Sequence, residues 1–177
     1  MLAKEHGGEI FPVHRLDRET GGIMVYARTK AAAALLSAAI QNHVLKKEYV
    51  CVIRGVPEQP EGTYRDLLLH DKQRNKTFVV QRMRGGVKEA ILDYRVLTQM
   101  QETSLVRVSL RTGRTHQIRV QFASRKTPLL GDGKYGGGSG ELALWSCRLE
   151  FPHPDTKKMM CFEQMPSGGV WTAFGLM

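Results

Sequence analysis

The chain has 177 residues, a length that fits one domain and allows a hydrophobic core without help from disulfides or metals. Hydrophobic residues make up 42% of the chain and charged residues 24%, which excludes disordered and fibrous proteins. Three cysteines, an odd number, argue against a disulfide framework and favour a reducing compartment. The most apolar run, 31–40, is much shorter than the roughly 20 residues of a membrane span, so we expect a cytoplasmic protein without membrane contact.

Positive charge is concentrated in two segments of the chain. There are 26 lysines and arginines against 17 acidic residues, which gives a net charge of +9. Neither 72–88 nor 103–131 contains an acidic residue, although both are rich in lysine and arginine. Such segments favour a polyanion, above all a nucleic acid, as the partner, and the alternative is an ordinary solvated surface.

Seven strands are predicted from short β-branched runs and from the alternation of apolar and polar residues. They cover 23–27, 49–53, 77–81, 90–97, 104–110, 142–151 and 159–162. Only a short loop separates the fourth strand from the fifth, which predicts an antiparallel pair. A strand-rich chain without regular βαβ alternation indicates an α+β fold with a mostly antiparallel sheet.

Two helices are predicted, one after the first strand and one after the fifth. The first covers 30–46, with Thr29 as its N-cap and with Lys46 and Lys47 at its C-terminus, where positive charge is favourable. Its buried stripe is predicted to contain residues four positions apart, namely Ala32, Leu36, Ile40 and Val44. The second helix is short and covers 115–124.

Three short motifs contain residue types that are suited to chemistry. In the motif 14–17 the acid Asp17 lies in a turn before a strand, although Asp17 alone fits a turn-forming residue better than a nucleophile. In 111–119 arginines and a histidine surround a predicted helix N-terminus, which suits an anion site or, alternatively, a solvated helix face. In 47–49 a lysine and a tyrosine enter a strand, where a tyrosine usually belongs to the half-buried core.

Two other kinds of site are rejected. Gly131, Gly133 and Gly136 have the spacing of a dinucleotide-binding motif, but that motif needs a strand before it and a helix after it. Here a predicted helix precedes the glycines and a further glycine run, 137–140, follows them. The three cysteines have neither C-x-x-C spacing nor a histidine at ligand spacing, so no metal site is predicted.

Read together and in order, the motifs resemble those of the RluA-type family of RNA pseudouridine synthases. The matching residues are His14-Arg15-Leu16-Asp17 with Thr20 and Gly22, then Lys47 and Tyr49, then Gly113 to Arg119, then Leu130-Gly131-Asp132 with Tyr135-Gly136. The resemblance extends from about residue 12 to the region of Trp171, which is nearly the whole chain. Four ordered motifs are far more specific than any one of them.

The resemblance implies a mixed, mostly antiparallel central sheet with flanking helices and a central catalytic cleft. It implies isomerisation of specific uridines in structured RNA, ribosomal or transfer RNA, to pseudouridine, with no metal and no organic cofactor. Asp17 matches the catalytic aspartate, Tyr49 the tyrosine that stacks on the base, and Arg119 the arginine that pairs with the aspartate. Arg15 matches the arginine that fills the gap left by the flipped base. Further candidate RNA contacts are His14, Arg82, Arg84, Arg114 and His116.

The resemblance also implies segments that this sequence lacks before His14. Family members usually begin with a strand carrying a Lys-Pro-x-Gly segment, and many have a small RNA-binding domain in front. We therefore expect a single catalytic domain over 1–177, without that strand or accessory domain, that acts as a monomer.

The proposed chemistry explains why these residue types are needed. The N1–C1′ bond breaks, the uracil turns, and C5 joins C1′, after the nucleotide has been extruded from its stack. Asp17 either attacks the sugar, attacks the base or removes a ribose proton, and the sequence does not distinguish these routes. A carboxylate stays ionised in a partly dry pocket when a cation is fixed beside it. We expect Arg119 to supply that cation through a direct contact with Asp17 of roughly 2.7–3.2 Å.

A second hypothesis is a non-catalytic RNA-binding or RNA-chaperone protein on the same fold. The presence of Asp17, Tyr49 and Arg119 together favours the enzyme. Release of tritium from RNA that carries 5-tritiated uridine distinguishes the two hypotheses, because only turnover removes the hydrogen at C5.

Overall fold

One large sheet dominates the computed structural model, which describes residues 7–176. Within this range the strands are β1 (Phe11–Pro12), β2 (Gly21–Gly22), β3 (Tyr26–Ala27), β4 (Lys46–Arg54), β5 (Glu61–Asp71), β6 (Lys76–Val80), β7 (Val87–Met100), β8 (Thr103–Leu110), β9 (Leu144–Pro152) and β10 (Met159–Glu163). The helices are α1 (Lys30–Gln41) and α2 (Gln117–Ala123), and a 3-10 helix covers Gly169–Phe174.

The sheet is mixed and mostly antiparallel. Seven strands follow the order β10-β9-β4-β8-β7-β5-β6 with antiparallel pairing throughout, and the two-residue β2 pairs in parallel with β9. The short strands β1 and β3 form a separate antiparallel ladder. The predicted α+β class and the predicted antiparallel pair, which is β7 with β8, are confirmed.

Side-chain alternation on β4 divides the core between the two faces of the sheet. Tyr49 belongs to the cluster on one face, together with Ile118 and Phe122 of α2. Val50 points to the other face and packs in a cluster with Trp171 of the 3-10 helix. Because residues i and i+2 of a strand share a face, Lys47 lies on the same side of β4 as Tyr49, facing α2.

Six of the seven predicted strands agree with observed ones, whereas β1, β2 and β5 were not predicted. The prediction over 23–27 is wrong for most of its length, because only Tyr26–Ala27 is a strand. Ile23 instead donates its backbone N–H to the carbonyl of Ser146 at 2.9 Å. Strand β5 was not predicted, since the consecutive leucines 67–69 hide the alternation that buries Tyr64 and Leu68.

Helix α1 begins as predicted and ends earlier than predicted. The side-chain oxygen of Thr29 accepts a hydrogen bond from the backbone N–H of Ala32 at 3.1 Å, which confirms the N-cap. The helix stops at Gln41, and His43 takes a left-handed conformation with φ of +57°. The chain therefore turns before Val44, which is 44% exposed and does not extend the buried stripe. Lys46 and Lys47 belong to β4 and not to the end of a helix.

Gly22 fixes how the segment before β2 joins the sheet, and this generates a stability prediction. Gly22 has φ of +112°, and a Cβ atom there would overlap the backbone of Ser146 in β9. We expect Gly22→Ala to lower the free energy of unfolding by at least about 2 kcal/mol, because strain at positive φ and the overlap with β9 add. Urea unfolding measures the change.

The matched control is Gly85→Ala, since Gly85 has open space around its Cα and no positive φ. This substitution should change the free energy of unfolding by less than about 0.5 kcal/mol. Equal effects of the two substitutions would contradict the close approach of β2 to β9.

Candidate active site

A cavity of about 150 Å³ opens where the segment before β2 meets β4 and the start of α2. It brings together residues that are far apart in the sequence, because β4 and α2 pack against each other across the same face of the sheet. Six of the sequence-predicted site residues line it: Arg15, Asp17, Tyr49, Arg114, His116 and Arg119. His14, Arg82 and Arg84 do not.

Asp17 offers a carboxylate at this cavity. Its carbonyl oxygen accepts a hydrogen bond from the backbone N–H of Thr20 at 2.9 Å, so the residue sits at the start of a tight turn. The side chain of Asp17 is 21% exposed, and one of its oxygens lies 3.7 Å from Nη1 of Arg119. Asp17 and Arg119 lie together as an ion pair, but the predicted hydrogen-bond distance is wrong, because Arg119 directs its hydrogen bonds to another carboxylate.

Arg119 directs its hydrogen bonds to a different carboxylate. Its Nε and Nη2 atoms donate to the two oxygens of Asp132, each at 2.7 Å, and both side chains are buried. Nη2 also lies 3.5 Å from the exposed carboxylate of Glu19. Burial alone would lower the pKa of Arg119, but the hydrogen bonds and charge of Asp132, with the charges of Asp17 and Glu19, raise it. Arg119 is therefore a fixed cation at the cavity wall.

Tyr49 belongs both to the core and to the cavity lining. It is only 7% exposed, and it packs in the cluster that includes Ile118 of α2. Burial raises the pKa of Tyr49 above its usual range, and the negative charge of Asp17 raises it further. The phenol is therefore neutral at physiological pH, with an aromatic ring available beside the Asp17 carboxylate.

His116 is a buried, uncharged member of the lining. It precedes α2 in a left-handed conformation with φ of +54°, and its Nδ1 atom lies 2.9 Å from the hydroxyl of Tyr135. Burial lowers the pKa of His116, and the positive charges of Arg119 and Lys134 lower it further, while Asp17 opposes them. At neutral pH this uncharged imidazole can donate one hydrogen bond and accept another. Helix α2 begins at Gln117, two residues later than predicted, because His116 is not helical.

Three cations besides Arg119 surround the cavity. Arg15 is exposed, and the half-buried Arg114 donates through Nε to the carbonyl of Glu89 at 2.8 Å. Lys47 was not predicted as a site residue, although its position two residues before Tyr49 on β4 could have indicated it. Among residues 7–176, the side chain of Lys47 makes no hydrogen bond and no ion pair, and burial lowers its pKa. The lining can therefore hold a polyanion around the Asp17 carboxylate.

His14 and the arginines of the β6–β7 loop lie outside the cavity. The Nε2 atom of His14 accepts a hydrogen bond from the backbone N–H of Val25 at 3.2 Å, which ties the segment before β2 to the segment after it. Burial and the charge of Lys47 lower the pKa of His14 to about 4. Arg82 and Arg84 are exposed in the loop between β6 and β7.

Over residues 7–176, no group of three or more histidine, cysteine, aspartate or glutamate side chains is arranged to hold a metal ion. Over the same range, no helix has the length and apolar character needed to span a membrane.

Comparison with known proteins identifies the family. The family model for RNA pseudouridylate synthases matches residues 1–124 of the chain. The chain belongs to this family. The resemblance to the RluA-type synthases that was drawn from the motifs is confirmed by relatives in that group.

Individual members of the pseudouridylate synthase family align over most of this chain. An uncharacterised RNA pseudouridine synthase of Bacillus subtilis, YhcT, is 35% identical over 156 residues, covering 85% of this chain and 51% of the relative. Ribosomal large subunit pseudouridine synthase D of Zymomonas mobilis is 34% identical over 167 residues, covering 87% of this chain and 52% of the relative. The chain thus spans about half the length of the curated relatives that it matches.

The fold is also that of solved members of the family. Human RNA pseudouridylate synthase domain containing 4 superposes with a TM-score of 0.78 at 22% identity, over 93% of this chain and 76% of the human one. Human RNA pseudouridylate synthase domain containing 1 has the same TM-score at 24% identity, over 97% of this chain and 74% of the other.

The position of His14 generates a prediction about stability and pH. An unfolded histidine takes up a proton near pH 6.5, whereas folded His14 does so near pH 4. Between these values the unfolded chain binds more protons than the folded one, so the free energy of unfolding falls as the pH falls from about 6.5 to about 4. We expect His14 alone to lower the free energy of unfolding by about 3 kcal/mol as the pH falls from about 6.5 to about 4.

The variant His14→Gln keeps an acceptor for the N–H of Val25 and cannot titrate. Urea unfolding at several pH values should therefore give a smaller acid loss than in the unmodified protein, with parallel curves above about pH 7. An equal acid loss in both proteins would show that His14 is not the group responsible.

Proposed function

We propose that this chain isomerises uridine in RNA to pseudouridine, with Asp17 as the catalytic carboxylate. The observation that carries the proposal is the meeting of Asp17, Tyr49 and Arg119 at one cavity that is rimmed by cations. Membership of the pseudouridylate synthase family supports the reaction type. The chain spans about half of its relatives' length, so the activity of the chain itself is part of the proposal.

Each of the three residues has a distinct role in the proposed reaction. Asp17 acts on the sugar or on the base of an extruded uridine, as a nucleophile or as a base. Tyr49 stacks its neutral ring on the freed uracil while the base turns. Arg119 pairs with the carboxylate of Asp17 and orients it. The N1–C1′ bond is lost, the C5–C1′ bond forms, and a proton leaves C5 while another is added at N1, so the isomerisation balances without a cofactor.

The cations account for the binding of RNA. We assign Arg15 to the gap left by the extruded base, and Arg114 and Lys47 to phosphates at the mouth of the cavity. His116 offers an uncharged hydrogen-bonding group to the nucleotide. Arg82 and Arg84 extend the contact along the exposed β6–β7 loop. Extruding a base costs a few kcal/mol, and these phosphate contacts offset that cost.

Ribosomal RNA is our first choice of substrate, with transfer RNA as the alternative. The support comes from three relatives that are named ribosomal large subunit pseudouridine synthase D and are each 34% identical to this chain. Mapping of pseudouridines in cells with and without the gene identifies the RNA and the modified position.

Tritium release from RNA that carries 5-tritiated uridine tests the reaction. We expect release by the unmodified protein, and loss of at least about 99% of the rate in Asp17→Asn, because the amide is nearly isosteric but is neither an anion nor a base. Asp155→Asn removes an exposed carboxylate in the turn between β9 and β10 and should keep the full rate. More than about a tenth of the rate in Asp17→Asn would contradict the role of Asp17. RNA binding without any release by the unmodified protein would favour the RNA-binding or chaperone hypothesis.

The salt dependence of RNA affinity tests the contact at the β6–β7 loop. If about five phosphates are neutralised, the logarithm of affinity should fall against the logarithm of salt concentration with a slope of about −4. The double variant Arg82→Gln/Arg84→Gln should flatten the slope by about 2 if each arginine contacts one phosphate.

The matched control is Lys157→Gln/Lys158→Gln, which removes two exposed charges beside β10, at the opposite edge of the sheet from β6. This control should leave the slope unchanged. Identical slopes in the two double variants would mean that the β6–β7 loop does not contact RNA.

A further inference from the structure

Asp132 is a buried carboxylate to which neither the sequence nor the proposed reaction assigns a role. It is fully buried, and it accepts four hydrogen bonds: two from Arg119 at 2.7 Å and one from each backbone N–H of Lys134 and Tyr135 at 3.1 Å. A carboxylate with four donors is held rigidly, and its bond with Arg119 is of the strong two-pronged kind.

The bond with Asp132 determines which way the guanidinium of Arg119 faces. It uses Nε and Nη2, so the plane of the guanidinium cannot rotate without breaking two short hydrogen bonds. The ring of Tyr135 lies 5.4 Å from the central carbon of the guanidinium and supports it further. The remaining nitrogen, Nη1, makes no hydrogen bond within residues 7–176 and lies 3.7 Å from the Asp17 carboxylate.

The glycine-rich segment after α2 explains how a short loop can bury Asp132. Gly131 has φ of +75°, and a Cβ atom there would overlap the carbonyl of Glu141. A Cβ atom at Gly137 would overlap the carbonyl of Leu129. The N–H of Gly137 donates back to the carbonyl of Asp132 at 2.8 Å, which closes the loop on itself. The glycines therefore allow the close backbone contacts that place Asp132 within hydrogen-bond distance of Arg119.

We propose that Asp132 is a positioning residue that acts through Arg119, by holding the guanidinium so that Nη1 faces the carboxylate of Asp17. The proposal rests on the proposed function, because it assigns Asp132 to the same reaction. Asp132 does not reach the substrate, since it is fully buried behind Arg119. We expect the contact between Nη1 and Asp17 to shorten to a hydrogen bond when substrate fills the cavity, because catalytic contacts are often long in unliganded enzymes.

Steady-state tritium release by the variant Asp132→Asn tests the proposal. The amide matches the shape of the carboxylate but presents an NH₂ group to one of the donors of Arg119 and carries no charge. We expect kcat to fall by about a hundredfold, the usual cost of a misplaced electrostatic partner, while KM for RNA changes by less than about threefold. Circular dichroism and thermal unfolding verify that the variant is folded.

The structure offers a matched control ion pair just beyond the C-terminal end of α2. Asp66 accepts two hydrogen bonds from Arg125, which follows α2, at 2.9 and 3.2 Å, but neither residue lines the cavity. Asp66→Asn thus breaks a similar pair without touching the site. We expect its kcat to stay within about threefold of the unmodified value. An equal loss in both aspartate variants would reduce Asp132 to a structural role and overturn the proposal.

A double-mutant cycle separates action through Arg119 from general damage. In the background of Arg119→Gln, the change Asp132→Asn should lower kcat by less than about threefold more, because the group on which Asp132 acts is already gone. A full further loss of about a hundredfold in that background would overturn the proposal.

A second variant, Arg119→Lys, tests the same arrangement of Asp132, Arg119 and Asp17 if Asp132→Asn does not fold. A lysine can pair with Asp132 but has no second nitrogen to direct at Asp17, so kcat should fall by about a hundredfold with little change in RNA affinity. An undiminished kcat in Arg119→Lys would overturn the proposal. Absence of tritium release by the unmodified protein overturns the proposed function and this inference with it, whereas release with an unaffected Asp132→Asn overturns this inference alone.

Discussion

The buried ion pair between Arg119 and Asp132 is the interaction on which the rest of the site depends. A guanidinium that is only 3% exposed is costly to bury unless its charge and its donors are matched. Asp132 supplies both, with two hydrogen bonds at 2.7 Å. The pair joins α2 to the glycine-rich loop, and the carboxylate of Asp17 approaches it from a third segment. Three distant parts of the chain are thereby fixed around one cation.

Burial also determines which groups at the cavity carry charge. Desolvation raises the pKa of the Tyr49 phenol and lowers the pKa of the His116 imidazole. Both groups are therefore neutral at physiological pH. Charge at the inner wall is therefore left to Asp17 and Arg119, while Lys47 and the arginines surround the opening. A neutral aromatic lining with one anion at its centre suits an uncharged base, and a cationic rim suits the phosphates beside it.

Local patterns predicted both helices and most of the long strands, and the resemblance predicted most of the residues that meet at the cavity. The side chain of Thr29 caps α1 as its sequence context indicates, and alternation locates β7 and β8. The end of α1 could not be predicted, because the left-handed turn at His43 is made by a residue other than glycine. The partner of Arg119 could not be predicted either. Several carboxylates were available to it, and only the folding of a glycine-rich loop, which looked like a failed dinucleotide motif, selects Asp132.

The position of β9 late in the chain determines when the cavity can fold during translation. This strand contributes Leu144 to the cavity, and it also pairs with β4 and with β2, which connects to the turn of Asp17. Contacts of such long sequence separation form late, since much of the chain must be in place before they can close. A nascent chain that has not yet reached Leu144 lacks β9, and therefore has neither the neighbour of β2 nor one wall of the cavity. The cavity between the turn of Asp17, β4 and α2 can therefore close only after β9 has been synthesised.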